Sequence, residues 1–135
     1  MPRPHIPPTL RRFVTERAGN RCEYCLVHQD DRPEAHHLDH LVAIKHGGQT
    51  VSENLALACA TCNYYKGSDV ASIDPVENAI VPLFNPRGQE WNDHFRLAGA
   101  TIVGLTPTGR ATIELLRLND DERLAMRQAL IEAGR

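Results

Sequence analysis

The sequence contains no long apolar stretch, and none approaches the roughly 18 consecutive apolar residues expected of a membrane-spanning helix. Its N-terminus, MPRPHIPPTLRRF, also lacks the apolar segment and the small-residue cleavage site that mark a secretory signal peptide. These absences argue against a membrane span and against secretion. We therefore expect a soluble protein of a reducing, cytoplasmic compartment, where thiols bind metals more often than they form disulfides.

The chain also lacks an overall positive charge, because its formal net charge is −2. This value argues against a protein that coats nucleic acid by bulk attraction. The distribution is uneven: residues 1–21 hold five arginines and one glutamate, a net charge of +4, while residues 22–85 hold three basic and nine acidic residues, a net charge of −6. The basic segment can hold a polyanion over a cation site, or it can be a solvated arginine face.

At 135 residues and 41% hydrophobic composition, the chain suits one domain with a core of moderate size. Apolar spacing predicts a helix over about 8–18, after a proline-rich start. A short strand is expected from residue 36, then a glycine-containing loop to about residue 52, then a short helix after the second cysteine pair.

The C-terminal part reads as scaffold. Residues 72–90 are rich in turn formers and predict one extended segment, and WNDHF and ATIVGL predict strand pieces. Thr106 and Pro107 predict the start of one amphipathic helix, and Asn119 is expected to cap another. The expected class is α+β.

The four cysteines, Cys22, Cys25, Cys59 and Cys62, form two CxxC pairs. Each CxxC places two sulfurs on one turn, so that two such knuckles close a tetrahedral zinc shell. A closed thiolate shell leaves no position for substrate, so this zinc is expected to be structural. In small domains such binding is worth roughly 10–16 kcal/mol. Four unrelated buried thiols are the alternative.

Between and after the cysteine pairs lie Asp39, His40, Asn54 and Asn63, within the segments CEYC, LDHLVAIKHGG and ENLALACATCNYYKG. This order of landmarks, over about residues 21–67, resembles the HNH endonuclease family. The resemblance implies a small ββα-metal (treble-clef-like) core with a four-cysteine zinc site, between an N-terminal helix and C-terminal helices. We expect one domain over 1–135, with the nuclease core at about 20–70 and an extension at about 71–135, as in small stand-alone bacterial members.

By the resemblance, Asp39 and Asn63 ligate a catalytic cation, His40 is the general base that activates a water, and Asn54 orients His40. Many members of the family have a second histidine where this sequence has Asn63, so the site is an HNN-type variant. Two oxygen ligands suit a hard cation, Mg²⁺ or Mn²⁺. A histidine titrates near neutrality and can accept a proton from water.

Further basic side chains are candidates for contacts with substrate: His37, Lys66, Arg11 and Arg12. His37 lies two positions before Asp39 and therefore on the same strand face, where it contacts phosphate or cation, or makes a plain polar contact. Lys66 is expected to contact phosphate as a point charge. His36 and His46 are interpreted as solvated, and Tyr64 and Tyr65 as packing residues rather than base-stacking ones.

The sequence thus predicts a DNA endonuclease that hydrolyses phosphodiester bonds with one metal and a histidine-activated water. The alternative is a non-catalytic zinc module that binds nucleic acid or protein, which has no use for Asp39, His40, Asn54 and Asn63 together. A zinc-thiolate redox switch is a second rival. One site per chain predicts nicking by a monomer, and double-strand cutting requires a homodimer or two successive events.

Overall fold

The computed structural model describes residues 5–135, which contain five α-helices and six β-strands. Two compact units emerge. The knuckle unit comprises the described residues through Val70 together with Asn85–Gly88, and the C-terminal unit comprises Ala71–Phe84 and Gln89–Arg135. The expected single domain stays a prediction, because a division in space does not reveal whether the two units unfold together.

The knuckle unit contains helices α1 (Pro8–Arg17) and α2 (Ala60–Lys66) and strands β1 (His37–His40) and β2 (Leu55–Ala58). Helix α1 confirms the predicted N-terminal helix. It begins with proline at its first position, where the missing N–H is not needed. Arg17, at its end, donates from Nη2 to the Leu55 carbonyl at 2.8 Å, which ties α1 to β2.

Strands β1 and β2 form an antiparallel pair in which His37 faces Ala58 and His40 faces Leu55. All four residues of β2 are buried, so its sequence is apolar throughout rather than alternating. The last residue of β2 is followed by Cys59, which opens helix α2. A hairpin followed by a helix, with four clustered cysteines, confirms the predicted zinc-stapled α+β core.

The C-terminal unit contains two hairpins and three helices: β3 (Ala71–Ile73), β4 (Ile80–Pro82), α3 (Trp91–His94), β5 (Phe95–Ala98), β6 (Thr101–Gly104), α4 (Pro107–Leu116) and α5 (Asp121–Glu132). The predicted extended segment at 72–90 is wrong, because β3 and β4 pair as a hairpin. Residues 91–94 form a helical turn rather than a strand. ATIVGL is confirmed as a strand, since it contains β6.

Helix α4 begins as predicted. The Thr106 side chain accepts a hydrogen bond from the Gly109 N–H at 3.0 Å, and Pro107 occupies the first helical position. Asn119 does not cap α5, whose N-cap is Asp120. Its amide instead exchanges two hydrogen bonds with the backbone of Ile102, at 2.9 and 2.8 Å. Asn119 therefore pairs with β6 as another strand residue would.

Two arginines of α5 complete this unit. Arg123 donates to the Leu116 carbonyl at 2.8 Å, and Arg127 donates to the carbonyls of Ala100 and Leu118, both at 2.6 Å. Leu116 is the last residue of α4, so its carbonyl has no partner within the helix and Arg123 satisfies it. Arg127 instead connects α5 to the β5–β6 turn and to the segment after α4. Within residues 5–135, no helix is long and apolar enough to cross a membrane.

Candidate active site

The four cysteine sulfurs lie within 4.8 Å of one another, and all four residues are buried. The Cys25 and Cys59 sulfurs are 3.7 Å apart, far longer than a disulfide bond of about 2.05 Å. A tetrahedral zinc with bonds of about 2.3 Å requires sulfurs roughly 3.8 Å apart. The cluster is therefore compatible with a structural zinc.

The backbone around the sulfurs also suits a metal. The N–H groups of Tyr24 and Cys25 point to the Cys22 sulfur at 3.4 Å, and the Cys62 N–H points to the Cys59 sulfur at 3.4 Å. Such donors stabilise thiolates. Burial raises the pKa of Cys22 and Cys62, whereas hydrogen bonds from the neighbouring thiols lower the pKa of Cys25 and Cys59. A cation bound by all four sulfurs would favour the thiolate form of each.

Asp39 and His40 are adjacent residues at the end of β1. Adjacent strand residues point to opposite faces, and β1 ends at His40, which pairs with Leu55. Asp39 is 4% exposed. Its Oδ2 accepts a hydrogen bond from the Tyr24 hydroxyl at 2.9 Å. Burial raises the pKa of Asp39, while Lys66 and Tyr24 act in the opposite direction.

Lys66, predicted to contact phosphate, is buried beside Asp39. It is 3% exposed, and its Nζ lies 3.1 Å from Asp39 Oδ2 and 3.4 Å from Oδ1. An ammonium group this deeply buried requires a counter-charge, which Asp39 supplies. Lys66 is the last residue of α2, so the pair joins the helix to β1.

His40 is half-buried, and its Nε2 lies 3.0 Å from the Thr50 hydroxyl oxygen. When Nε2 carries the ring proton and donates it to Thr50, Nδ1 presents its lone pair for accepting a proton. Burial lowers the pKa of His40, and Asp39 opposes that effect. The lowered pKa favours the neutral ring.

Asn54 holds the loop that connects β1 to β2. Its Oδ1 accepts from the Val42 N–H at 2.9 Å, and its Nδ2 donates to the carbonyls of Val42 at 2.9 Å and Gln49 at 2.8 Å. A Cβ on Gly48 would lie 1.7 Å from the Val42 carbonyl oxygen, so only glycine fits there. Asn54 makes no direct bond to His40 in the described chain, and acts instead on the loop that ends with Thr50.

Asn63 lies on α2, three residues before Lys66, so the two side chains are neighbours on the helix surface. Its side chain is half-exposed and forms no hydrogen bond to any of residues 5–135. Its amide oxygen and the carboxylate of Asp39, the two predicted cation ligands, are both oxygen donors. Such donors fit a hard divalent cation better than a soft one.

The other predicted residues occupy varied environments. Arg11 and Arg12 are exposed on α1, and His37 is half-buried opposite Ala58. The interpretation of His36 as solvated is wrong, because it is 8% exposed and its Nε2 lies 3.1 Å from the Val27 carbonyl. Tyr64 is 79% exposed, so its interpretation as a packing residue is also wrong.

Sequence reasoning did not identify Thr50 or Tyr24 as parts of the site. Thr50 belongs to no recognisable motif, and its position shortly after Gly47 and Gly48 is the one feature of the sequence that could have indicated a role. Tyr24 stands between the cysteines of the first knuckle, and the CxxC pattern assigns no role to the residues between its cysteines. Glu23 beside it accepts from the Leu57 N–H at 2.7 Å and pairs with Arg87, which fixes the knuckle against β2.

Comparison with known proteins agrees with this geometry. Residues 22–69 match the family model of the HNH endonuclease, the family that the sequence motifs resemble. The family is one of nucleases, which act on nucleic acids. Over 126 residues, 92% of this chain, the sequence is 24% identical to the Septu protein PtuB of Bacillus thuringiensis. The chain spans only 46% of that relative's length. No solved structure matches the chain.

Proposed function

We propose that the protein is a metal-dependent DNA endonuclease that hydrolyses phosphodiester bonds with a single catalytic cation and a histidine-activated water. The observation that carries the proposal is the environment of His40. Its ring contacts the Thr50 hydroxyl through one nitrogen and follows directly after a buried carboxylate, and burial lowers its pKa, which favours the neutral form. A neutral imidazole fixed beside an acidic residue is suited to general-base chemistry.

Asp39 and Asn63 would hold the catalytic cation, Mg²⁺ or Mn²⁺, through oxygen atoms. When bound, that cation supplies positive charge that stabilises the phosphate and the leaving oxygen. His40 takes a proton from water at Nδ1, while Thr50 keeps the ring oriented. Asn54 contributes indirectly, because it fixes the loop from Val42 to Gln49 that leads into Thr50.

DNA is the proposed partner, and contacts with it involve the exposed Arg11 and Arg12 of α1 and His37 of β1. Lys66 enters this proposal as the counter-charge of Asp39. One site per chain predicts that a monomer nicks one strand, and double-strand cutting requires a homodimer or two events.

The test is incubation of supercoiled plasmid with the zinc-loaded protein and Mg²⁺ or Mn²⁺. We expect nicked product that EDTA prevents. Asp39→Ala and Asn63→Ala should weaken cleavage while zinc content is retained, and higher cation concentration should partly restore Asn63→Ala. Loss of zinc and of folded structure in both variants would contradict the separation between zinc and catalytic cation.

The alternative function, a non-catalytic zinc module that binds nucleic acid or protein, is favoured by one observation. Lys66 already neutralises Asp39 without a divalent cation. Salt-dependent DNA binding by wild-type protein, with no cleavage under any divalent cation, would support this module instead.

DNA binding itself is tested with Arg11→Ala/Arg12→Ala. Each lost phosphate contact should reduce the slope of log affinity against log salt by about 1, since each contact releases counterions. A matched control is Arg32→Ala, outside α1. Unchanged binding by the double variant would assign Arg11 and Arg12 to a solvated face.

A further inference from the structure

The two oxygens of Asp39 are not equivalent. Oδ2 accepts from the Tyr24 hydroxyl at 2.9 Å and lies 3.1 Å from Lys66 Nζ, whereas Oδ1 has only the longer 3.4 Å contact with Lys66. A carboxylate oxygen has about two acceptor sites, so Oδ2 is filled by its two donors. Oδ1 is the oxygen that remains available to a further ligand.

Tyr24 reaches Asp39 from the zinc knuckle. It stands between Cys22 and Cys25, is 1% exposed, and its own N–H points to the Cys22 sulfur at 3.4 Å. Its hydroxyl ends on a carboxylate fifteen positions later in the sequence. One side chain therefore connects the thiolate cluster with the acidic residue of β1.

The ring of Tyr24 has little freedom. Its backbone is fixed by the knuckle, and the following cysteine also directs its N–H to the Cys22 sulfur at 3.4 Å. Asp39 lies on a strand whose partner, β2, leads directly into the second knuckle at Cys59. Both ends of the Tyr24–Asp39 hydrogen bond are thus held by backbone that the cysteine cluster organises.

We propose that Tyr24 is a positioning residue that fixes Asp39 for monodentate ligation of the catalytic cation through Oδ1, and that it thereby couples the zinc knuckle to cation affinity. This inference rests on the proposed function for the identity of the cation site. The hydroxyl group orients the carboxylate and occupies Oδ2, so a cation meets one preset oxygen. Partners of this kind are commonly worth about 10–100-fold in metal affinity or activity.

The test is Tyr24→Phe, which removes the hydroxyl group and keeps the buried ring. Binding of Mn²⁺ to zinc-loaded protein is followed by the EPR signal of free Mn²⁺, without any cleavage assay. We expect affinity to fall about 10–100-fold while one zinc per chain is retained. The matched control is Tyr64→Phe, on an exposed ring that does not contact Asp39, and its Mn²⁺ affinity should equal that of wild type. Unchanged Mn²⁺ affinity in Tyr24→Phe would overturn the inference.

A second measurement applies if Tyr24→Phe loses zinc. The chain has three tyrosines, so Tyr64→Phe/Tyr65→Phe leaves Tyr24 as the only one. Mg²⁺ bound to Asp39 changes the field around the phenol, and we expect a saturable ultraviolet difference spectrum from this variant. Adding Asp39→Asn should abolish it. Absence of a spectral change at saturating Mg²⁺ would overturn the inference.

The cleavage assay separates the two proposals. Weaker Mn²⁺ binding by Tyr24→Phe, in a protein whose wild type does not cleave DNA, would retain the positioning role and remove the endonuclease function. Cleavage by wild type, with equal Mn²⁺ affinity in Tyr24→Phe, would retain the function and remove the positioning role.

Discussion

The knuckle unit and the C-terminal unit differ in the groups that form their cores. The knuckle unit buries charge, Asp39 and Lys66, in a small core whose most enclosed groups include four thiols. The C-terminal unit contains no cysteine; its core includes Phe95, and its buried Asp74 is held by two hydrogen bonds from Arg110. Both units thus bury a paired carboxylate, but only the knuckle unit holds it together with four thiols, and this is where the candidate chemistry lies.

Removal of zinc should produce the largest difference in stability between the two units. Structural zinc in small domains contributes roughly 10–16 kcal/mol. A strong chelator should therefore abolish amide-exchange protection in β1 and β2 while α4 and α5 keep theirs, as measured by hydrogen exchange with mass spectrometry. Equal protection in both units after metal removal would contradict the assignment of zinc as the staple of the knuckle unit.

His40→Ala tests the chemistry assigned to the knuckle unit. A general base contributes roughly 10²–10⁴-fold, so the cleavage rate should fall by about that factor while zinc content, folding and DNA binding persist. The exposed His46→Ala is the control, and His37→Ala should cost less than His40→Ala.

The wild-type rate should also depend on pH in one direction. Only neutral imidazole accepts a proton, and burial lowers the pKa of His40, so the rate should rise as pH increases through that pKa and level off near neutrality. A wild-type rate from His40→Ala at saturating cation would remove the general base from the mechanism.

Lys66→Met tests the buried ion pair of the knuckle unit. Removing one partner of a buried ion pair costs about 3–5 kcal/mol, because Asp39 is left uncompensated. Denaturant unfolding should show this loss in zinc-loaded protein, and Mn²⁺ should restore more stability to the variant than it adds to wild type. Lys45→Met, on an exposed lysine, should change little. A variant that Mn²⁺ does not stabilise would argue against a cation on Asp39.

The smallest effect concerns the C-terminal unit. Arg110 donates to both oxygens of Asp74 at 2.9 and 2.8 Å and lowers the pKa of Asp74 to about 2. A lowered pKa stabilises the fold above the unfolded pKa of about 3.9, and that contribution disappears as pH falls toward 2. In Asp74→Asn, the free energy of unfolding of this unit should therefore fall less between about pH 4 and pH 2 than in wild type. An equal fall in variant and wild type would show that the ion pair is not coupled to folding.

The predictable parts of the molecule are those set by local sequence. The knuckles, α1 and the start of α4 follow from CxxC spacing, a proline start and the Thr106 cap. The pairing of Lys66 with Asp39 joins residues 27 positions apart, and it depends on how α2 packs against β1. Such a contact leaves no local pattern in the sequence.

The wrong predictions for Asn119 and Tyr64 have the same origin. Asn119 has the chemistry of a helix cap, but its amide pairs with Ile102, and the following Asp120 takes the cap position. Similarly, Tyr64 and Tyr65 share one motif, yet only the direction of α2 decides that the first ring is exposed. Both outcomes depend on tertiary packing, which overrides local preference. The roles of His40, Asn54 and Asn63 stay predictions until the variants are measured.

The chain path has a consequence for dissection of the protein. The backbone leaves the knuckle unit after Val70, returns for Asn85–Gly88, and leaves again. A fragment that stops at residue 70 therefore lacks Arg87, and Glu23 loses the guanidinium that balances it beside the first knuckle. No single cut divides the chain into the two units. The knuckle unit includes Asn85–Gly88, so the C-terminal unit is not a module that recombination can exchange at one junction.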